Sequence, residues 1–245
     1  MDSLSTNIPS EARSFAKARF QARGNMRISN QVNVTGTLFA GSRVEIGVET
    51  NALRDIVSGG DIMLANRAKV GRLRLAGSLQ VQQGAVHGQV TRVSSVENPS
   101  MPLISFSTGN TDIMAENNRT INVTAGRYRN LTARDRSTIK FGKGDYYFNS
   151  FWVDPNVVLE FAKGTRIWVA NGFNIGNFSR VTHSGKVGDL FIYIGASGYV
   201  SIGNNVQMKA VVYAPRASVQ IFDHTTFEGA VWSANFNVEP SSILK

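Results

Sequence analysis

The stretches VQMKAVVYAPRASV (residues 206–219) and TTFEGAVWSANFNV (residues 225–238) repeat each other at an offset of 19 residues (225 − 206). The offset aligns Met208 with Phe227, Val212 with Val231, Tyr213 with Trp232 and Val219 with Val238. Self-similarity at a fixed period is the mark of a repeat architecture, in which each repeat is one structural unit. The two stretches therefore predict stacked, equivalent coils.

The same spacing recurs upstream of these stretches. The equivalent pairs are Val200 with Val219 and Ile202 with Ile221, and then Ile121, Ile139 and Leu159 at separations of 18 and 20. A period of 18–20 residues has room for about three short strands and three turns. Coils of this size stack about 4.8 Å apart as parallel ladders around one apolar column. The period predicts an all-β parallel β-solenoid (β-helix).

Short segments with alternating apolar and polar residues fit this prediction, because alternation places successive side chains inside and outside a half-buried strand. Examples are Arg72-Leu73-Arg74-Leu75 and Leu159-Glu160-Phe161. A β-sandwich or barrel is the rival fold. It would use hairpin dipeptides such as Asn-Gly, and only Asn171-Gly172 fits that pattern cleanly.

Four segments follow from these patterns. Residues 1–24 form a polar tail and a short amphipathic helix over Glu11–Arg23, with Ser10 as N-cap and Gly24 as stop. Such a helix would cap the solenoid or dock onto a membrane or partner. Residues 25–93 form the first coils, residues 94–120 an insertion or linker marked by Pro99 and Pro102, and residues 121–245 the second coils.

Composition excludes several classes of protein. The chain has 245 residues, 42% hydrophobic and 18% charged, which argues against disorder, and it has no cysteine for disulfides, thiol catalysis or Cys-ligated zinc. No apolar run approaches the roughly 18 residues of a membrane span, and no signal-peptide pattern begins the sequence. We expect a soluble chain whose export route the sequence does not show.

The second half of the chain resembles a known family. Lys143-Gly144-Asp145-Tyr146-Tyr147-Phe148, Asp189-Leu190-Phe191-Ile192-Tyr193-Ile194, Val212-Tyr213-Ala214-Pro215-Arg216 and Phe227-Glu228-Gly229-Ala230-Val231-Trp232 follow in order. This series resembles the β-solenoid repeat domain of bacterial surface proteins associated with type IV pilus assembly, of the PilX kind, over about residues 120–244. The resemblance implies a non-catalytic role in adhesion or assembly at the cell surface or outside the cell. The membrane helix or export signal that commonly begins such proteins is not seen from Met1 onward.

Catalytic and metal-binding patterns are weak. β-Helix enzymes that act on acidic polysaccharides need clustered carboxylates, whereas the acidic residues here are scattered. Asp112 and Glu116 flank the insertion, and the Asp223-His224 pair fits a solenoid corner better than a catalytic base. No nucleophile motif or metal-ligand spacing occurs. We predict no enzyme activity, no cofactor and no metal.

Positive charge suggests a polyanionic partner. There are 26 Lys and Arg against 17 Asp and Glu, a net charge of +9. Two basic groups stand out as candidate polyanion sites: Arg67, Lys69, Arg72 and Arg74, and then Arg127 and Arg129. Arginine forks bind phosphate, sulfate and carboxylate in bidentate fashion. Acidic polysaccharide is one expected partner; sequence-specific nucleic-acid recognition is not expected, because no DNA- or RNA-reading motif occurs.

Open solenoid ends suggest self-assembly, since unpaired strands at an end template further stacking. The candidate assembly residues are Phe15 and Phe20 near one terminus and Val238, Ile243 and Leu244 near the other. The leading prediction is a self-associating structural protein of a bacterial surface or filament. A monomeric adhesin or polysaccharide-binding module and a β-helix enzyme on acidic glycan remain alternatives. The aromatic residues, among them Tyr147, Trp152 and Trp232, are either a sugar-stacking strip or part of the packing.

Overall fold

The structure is a computed structural model that describes residues 19–245. It is an all-β parallel solenoid of about 12 turns. Its 28 strands and one 3₁₀ turn (Val187–Asp189) form a continuous set of parallel ladders on three faces. Two long strands, β26 (Gln207–Ile221) and β27 (Thr226–Val238), bend around all three faces.

Face 1 and face 2 are ladders of short strands, named in their spatial order along the stack. Face 1 consists of β13 (Ile113–Ala115), β16 (Asn130–Ala133), β19 (Ser150–Val153), β22 (Phe173–Ile175), β25 (Tyr199–Ile202), the ends of β26 and β27, β2 (Met26–Ile28), β5 (Val44–Ile46), β8 (Ile62–Leu64) and β11 (Leu79–Val81). Face 2 consists of β14 (Thr120–Val123), β17 (Thr138–Phe141), β20 (Val158–Phe161), β23 (Arg180–His183), the starts of β26 and β27, β28 (Ile243–Leu244), β3 (Asn33–Val34), β6 (Asn51–Ala52) and β9 (Lys69–Val70).

Face 3 completes the triangular cross-section. It consists of β15 (Gly126–Arg127), β18 (Gly144–Phe148), β21 (Thr165–Val169), β24 (Leu190–Ile194), the middles of β26 and β27, β1 (Arg19–Ala22), β4 (Thr37–Ala40), β7 (Ile56–Ser58), β10 (Leu73–Leu75) and β12 (Val90–Arg92).

The register confirms most of the predicted repeat. Ile121, Ile139 and Leu159 stack on one another, as do Val200 with Val219 and Tyr213 with Trp232. One pairing was wrong: Val219 lies beside Phe236, not Val238. The pairing between β26 and β27 is interrupted after Ala214 and resumes at Ser218. Paired residues are 19 positions apart before this corner and 17 positions apart after it.

The coils are not stacked in the order of the chain. β1 lies between β27 and β4, and β28 lies between β27 and β3. The run of residues 19–93 therefore continues the stack where the run of residues 113–245 ends. From Arg19 onward the chain thus starts in the middle of the stack, reaches one end, crosses to the other end and returns to the middle.

The crossing segment, residues 94–112, is called the strap. A stack of about 12 turns at about 4.8 Å per turn is about 58 Å long. Extended chain at about 3.3 Å per residue takes the strap about 60 Å, whereas a helix of the same residues would reach about half as far. The strap must therefore be almost fully extended to span the stack, and it contains no strand or helix. It ends before Ile113, whereas the predicted linker extends to residue 120.

The predicted N-terminal helix is not supported where the structure describes it. Arg19–Ala22 is strand β1, paired on both sides. The alternation of Phe20 and Ala22 suits an inward strand face as well as a helix, and tertiary pairing decides between them. Ser10, Phe15 and the rest of the predicted helix up to residue 18 lie outside the described residues.

One corner of every coil uses the same backbone conformation. Between face 1 and face 2 a residue has φ near +60°, a region that costs most L-residues about 1–2 kcal/mol. The non-glycine residues at this corner are Gln31, Glu49, Arg67, Asn118, Arg136, Asn156, Phe178, Asn205, His224 and Ser241. Buried hydroxyls follow several of them; Thr225 Oγ1, for example, accepts from the Val206 amide and donates to the Gly203 carbonyl.

Candidate binding surfaces

The predicted polyanion residues are dispersed over the molecule. Arg67, Lys69, Arg72 and Arg74 belong to the run of residues 19–93, and Arg127 and Arg129 lie in and beside the first coil at the opposite end of the stack. Lys69 points outward on face 2, whereas Arg74 points outward on face 3. The structure does not bring the six side chains together into one patch.

Several of these arginines are engaged between neighbouring coils. Arg72 donates two hydrogen bonds of 2.8 Å to Asp55, and this contact holds the pKa of Asp55 below its usual value. Arg67 pairs with Glu49 at 2.8 Å. These contacts join successive coils, which gives the arginines a structural use that the sequence does not reveal.

The first coil repeats the arrangement. Arg129 holds Asp112 in a bidentate pair and lowers the pKa of that carboxyl. The guanidinium of Arg127 lies 4.4 Å from the centre of the Tyr147 ring and donates to Ser107 of the strap. Both side chains fasten the strap and the first coil to their neighbours.

Arg72 also lines a groove at the corner of faces 2 and 3. The groove has a volume of about 590 Å³ and is lined by Thr35, Gly36, Thr37, Leu53, Arg54, Asp55, Gly71, Arg72, Gly88 and Lys245. Glycine is required at its floor because a Cβ on Gly71 would lie 2.4 Å from the Arg54 carbonyl oxygen. With three cations against one carboxylate, the lining side chains are net positive.

The predicted assembly residues do not lie at an end of the solenoid. Phe20, Val238 and Leu244 are buried, and Ile243 is half-buried, all where the two runs meet in the middle of the stack. Termini that look free in the linear sequence are paired with each other here. Phe15 lies outside the described residues.

The actual ends of the stack are elsewhere. At one end, called the β11–β12 end, both strands have a partner on one side only among residues 19–245. Val81 and Val86 are 45% and 61% exposed there. Residues 79–91 of this coil contain no Asp, Glu, Lys or Arg, and the exposed Arg92 that ends β12 donates to the Gly77 carbonyl at 2.8 Å. The other end, the β13–β14 end, carries Met114 and the half-buried Ile113 and Ile121.

The aromatic residues divide into three groups, which settles the question that the sequence left open. Tyr146, Phe148 and Phe151 are buried in the interior. An outward column on face 3 is covered by the strap, with Met101, Ile104 and Phe106 packed over Tyr147, Trp168, Tyr193, Tyr213 and Trp232. The Tyr213 hydroxyl donates to the Pro102 carbonyl at 2.8 Å, and burial raises its pKa. Trp152 alone of the quoted aromatics is exposed.

Trp152 belongs to a part of face 1 that carries no charge. The outward residues from β16 to β27, called the neutral face, are Asn130, Thr132, Ser150, Trp152, Gly172, Asn174, Tyr199, Ser201, Ser218, Gln220, Asn235 and Asn237. Trp152 is 53% exposed and Tyr199 is 74% exposed. Alternation could have identified this set from the sequence, since its members occupy the polar positions of the face 1 strands.

The residues considered for catalysis take part in the coil corners and in contacts between coils. His224 is the left-handed residue of its corner, with φ of +56°, and the amide of Asp223 donates to Asn204 of the neighbouring coil. Asp112 is held by Arg129. Within residues 19–245, no three His, Asp or Glu side chains are grouped as metal ligands, and no helix is long and apolar enough to cross a membrane.

Comparisons with known proteins add little to this geometry. Residues 156–243 match the model of a domain of unknown function, DUF7305. A search of curated proteins finds no match. Among solved structures, the crystal structure of an ice binding protein from an Antarctic bacterium, Flavobacteriaceae, is similar over 96% of this chain and 82% of that chain. The identity is 12% and the TM-score 0.30, so the likeness carries no argument about function.

Proposed function

We propose that the chain is a non-catalytic structural protein of a bacterial surface or extracellular filament, and that copies stack end to end. The observation that carries this proposal is the β11–β12 end, where residues 79–91 carry no Asp, Glu, Lys or Arg and Arg92, the last residue of β12, is the one charged residue of its two strands. Proteins commonly protect exposed strand edges with charged residues, especially lysine. Here residues 79–91 contain only His87 as a titratable residue, and Val81 and Val86 are exposed beside an edge that has no partner strand among residues 19–245.

Stacking joins the β11–β12 end of one copy to the β13–β14 end of the next. All ladders are parallel, so β13 of a second copy can add to β11, and β14 can add to the edge at Val86, without reversing any strand direction. Apolar residues at the two ends, such as Val81 and Ile113, would then be covered. The location at a bacterial surface rests on the PilX-type resemblance alone.

The test is sedimentation and negative-stain microscopy of the full chain over a concentration series. We expect particles that lengthen in steps of about 58 Å, the length of one stack. Val86→Lys should reduce them to single rods by placing a charge on the edge. Leu53→Lys, a change at an exposed position away from the ends, is the control and should stack as the unaltered chain does.

Two outcomes would contradict stacking. One is single rods at every concentration of the unaltered chain. The other is assembly that Val86→Lys leaves unchanged, because growth would then use another surface.

The groove lined by Arg54 and Arg72 favours a second candidate function, binding of an acidic polysaccharide by the single molecule. The side chain of Arg54 is exposed and, unlike Arg72, pairs with no carboxylate in the ion pairs of residues 19–245. A sulfated oligosaccharide should bind more weakly as salt rises and as Arg54 is changed to Ala. Arg27→Ala, an exposed arginine on face 1, is the matched control.

A further inference from the structure

We infer that the neutral face binds a neutral, extended polysaccharide chain, with sugar rings stacked on Trp152 and Tyr199. This site is separate from the ends and from the positively charged groove, and it does not depend on stacking. The argument starts from the distribution of charge. The molecule has a net charge of +9, yet within the face 1 strands from β16 to β27 no outward residue is charged; the nearest charges, Arg134, Asp154 and Glu239, follow the ends of these strands.

The absence of charge selects the class of ligand. A polyanion gains its affinity from cations, and the neutral face has none to offer. The face instead presents amides and hydroxyls, the groups that exchange hydrogen bonds with sugar hydroxyls. Its two exposed rings, Trp152 and Tyr199, supply apolar surface where a sugar ring can stack its C–H face. Charge complementarity therefore points to a neutral carbohydrate.

The spacing of the rings suits a chain rather than a single sugar. Trp152 shares a column with Asn174 and Ser201, and Tyr199 precedes Ser201 by two residues on the same strand. Two coils at about 4.8 Å and two residues at about 3.3 Å place the Cα atoms of Trp152 and Tyr199 about 12 Å apart. This separation corresponds to about two sugar rings along a β-linked chain, with Asn174 between the two contacts.

The polar side chains of the face are held in place by the coils beneath them. Asn130 Oδ1 accepts from Ser150 Oγ at 2.7 Å, Asn174 donates to the Val153 carbonyl at 3.1 Å, and Asn235 donates to Ser218 at 3.2 Å. Side chains fixed in this way lose little conformational freedom when a ligand binds, which favours affinity.

A second copy of the protein fits the face less well. The neutral face is about 24 Å long over its coils and about 12 Å wide, or about 300 Å². A stable protein interface buries about 800 Å² on each partner. The available area is too small for a stable dimer but sufficient for several sugar units.

The experiment is calorimetric titration of the full chain with two neutral probes, cellohexaose and chitohexaose, at low and high salt. We expect binding of at least one hexamer that changes little with salt. Trp152→Ala and Tyr199→Ala should each weaken it about tenfold through the lost stacking contact. Both side chains are exposed, so neither change should harm folding. Phe178→Ala, at an exposed aromatic off the face, is the matched control and should bind as the unaltered chain does.

Three results would overturn the inference. They are no binding of either hexamer, binding that salt abolishes, and binding that survives the change of both rings. Sedimentation of the unaltered chain and of Trp152→Ala completes the test: a dimer that Trp152→Ala removes would assign the face to a second copy instead.

Discussion

The two runs of coils share one set of ladders but differ in the number of residues per coil. In the run of residues 19–93, equivalent residues are 17 or 18 positions apart, as for Asp55 and Arg72 or Asn33 and Asn51. In the run of residues 113–245 the separation rises to 27, between Arg180 and Gln207. The extra residues lie partly in corner segments, such as the one that contains the 3₁₀ turn Val187–Asp189.

The interiors differ accordingly. The shorter coils are filled mainly by aliphatic residues such as Val44, Ile62 and Leu73. The longer coils contain a stack of phenylalanines, in which Phe141 lies 4.6 Å from Phe161 and Phe151 lies 5.4 Å from Phe173, measured between ring centres. The comparison shows that the coils with more residues carry larger interior side chains, as close packing of each interior requires.

The exteriors differ as well. On face 1 the run of residues 19–93 is charged, with Arg27, Arg43, Glu45 and Asp61 pointing outward. The continuation of the same ladder in the other run is the neutral face. A shared fold therefore carries a solvated surface on one part and a candidate binding surface on the other.

The largest effect is expected where the two runs meet. Phe20 of β1 is buried there, with its ring 5.7 Å from Phe236 and 6.2 Å from Phe227. Phe20→Ala should lower the free energy of unfolding by about 3–5 kcal/mol, because it leaves a cavity between the runs. Denaturant unfolding measures the loss, and Leu53→Ala at an exposed position should change stability by less than about 0.5 kcal/mol. A loss below about 1 kcal/mol for Phe20→Ala would show that the runs do not pack against each other through this ring.

A smaller effect is expected at the strap, which covers aromatic residues only in the longer run. The Phe106 ring lies 5.7 Å from Tyr147 and 5.9 Å from Trp168. Phe106→Ala should cost about 1–3 kcal/mol and shift tryptophan fluorescence to the red as water reaches Trp168. Leu103→Ala, in an exposed part of the same strap, should do neither. Equal shifts in the two variants would argue against a cover formed by Phe106.

The repeat, the strands and most of the register could be predicted because they depend on local periodicity. Val200 and Val219 occupy equivalent positions in sequence and in space. The order of the coils could not be predicted, since nothing near Phe20 indicates that it pairs with Val231, more than 200 residues away. This non-local pairing is why Phe20 and Leu244 were expected at free ends and are buried instead.

For the binding surfaces too, local features could be predicted and non-local contacts could not. Alternation separates the buried Phe151 from the exposed Trp152 within two residues. It cannot tell that Tyr213 and Trp232, also outward, lie beneath the strap, because a segment more than 100 residues away provides the cover. Likewise, the spacing of the arginines does not reveal that Asp55 and Asp112 already hold two of them.

His183, which lies in one of the longer coils, should make the stability of the protein depend on pH. This residue lies at the end of β23, just before the insertion that contains the 3₁₀ turn, and its Nδ1 accepts from the Gly185 amide. Burial, with a contribution from nearby Lys209, lowers its pKa below 6.5, although Asp189 and Glu228 act in the opposite direction. The unfolded chain thus binds a proton more readily, and stability should fall as the pH drops below about 6.5.

Thermal unfolding between pH 7.5 and 5 tests this dependence. In that range His183→Gln should reduce the dependence of the midpoint temperature of unfolding on pH. His87→Gln changes a histidine in the exposed end coil of the shorter run and should leave this dependence unchanged. An unchanged slope in His183→Gln would assign the pH dependence to other groups.

The smallest expected effect concerns the left-handed corner that both runs share. Phe178 has φ of +60° and its side chain is 61% exposed, so it adopts a strained conformation while burying little surface. Asparagine tolerates this conformation and occupies the same corner at Asn156 and Asn205. Phe178→Asn should therefore raise the free energy of unfolding by about 0.5–1 kcal/mol, and Asn205→Phe should lower it by a similar amount. If both changes destabilise the protein, the Phe178 ring contributes more to packing than its exposure indicates, and the corner would not be interchangeable between coils.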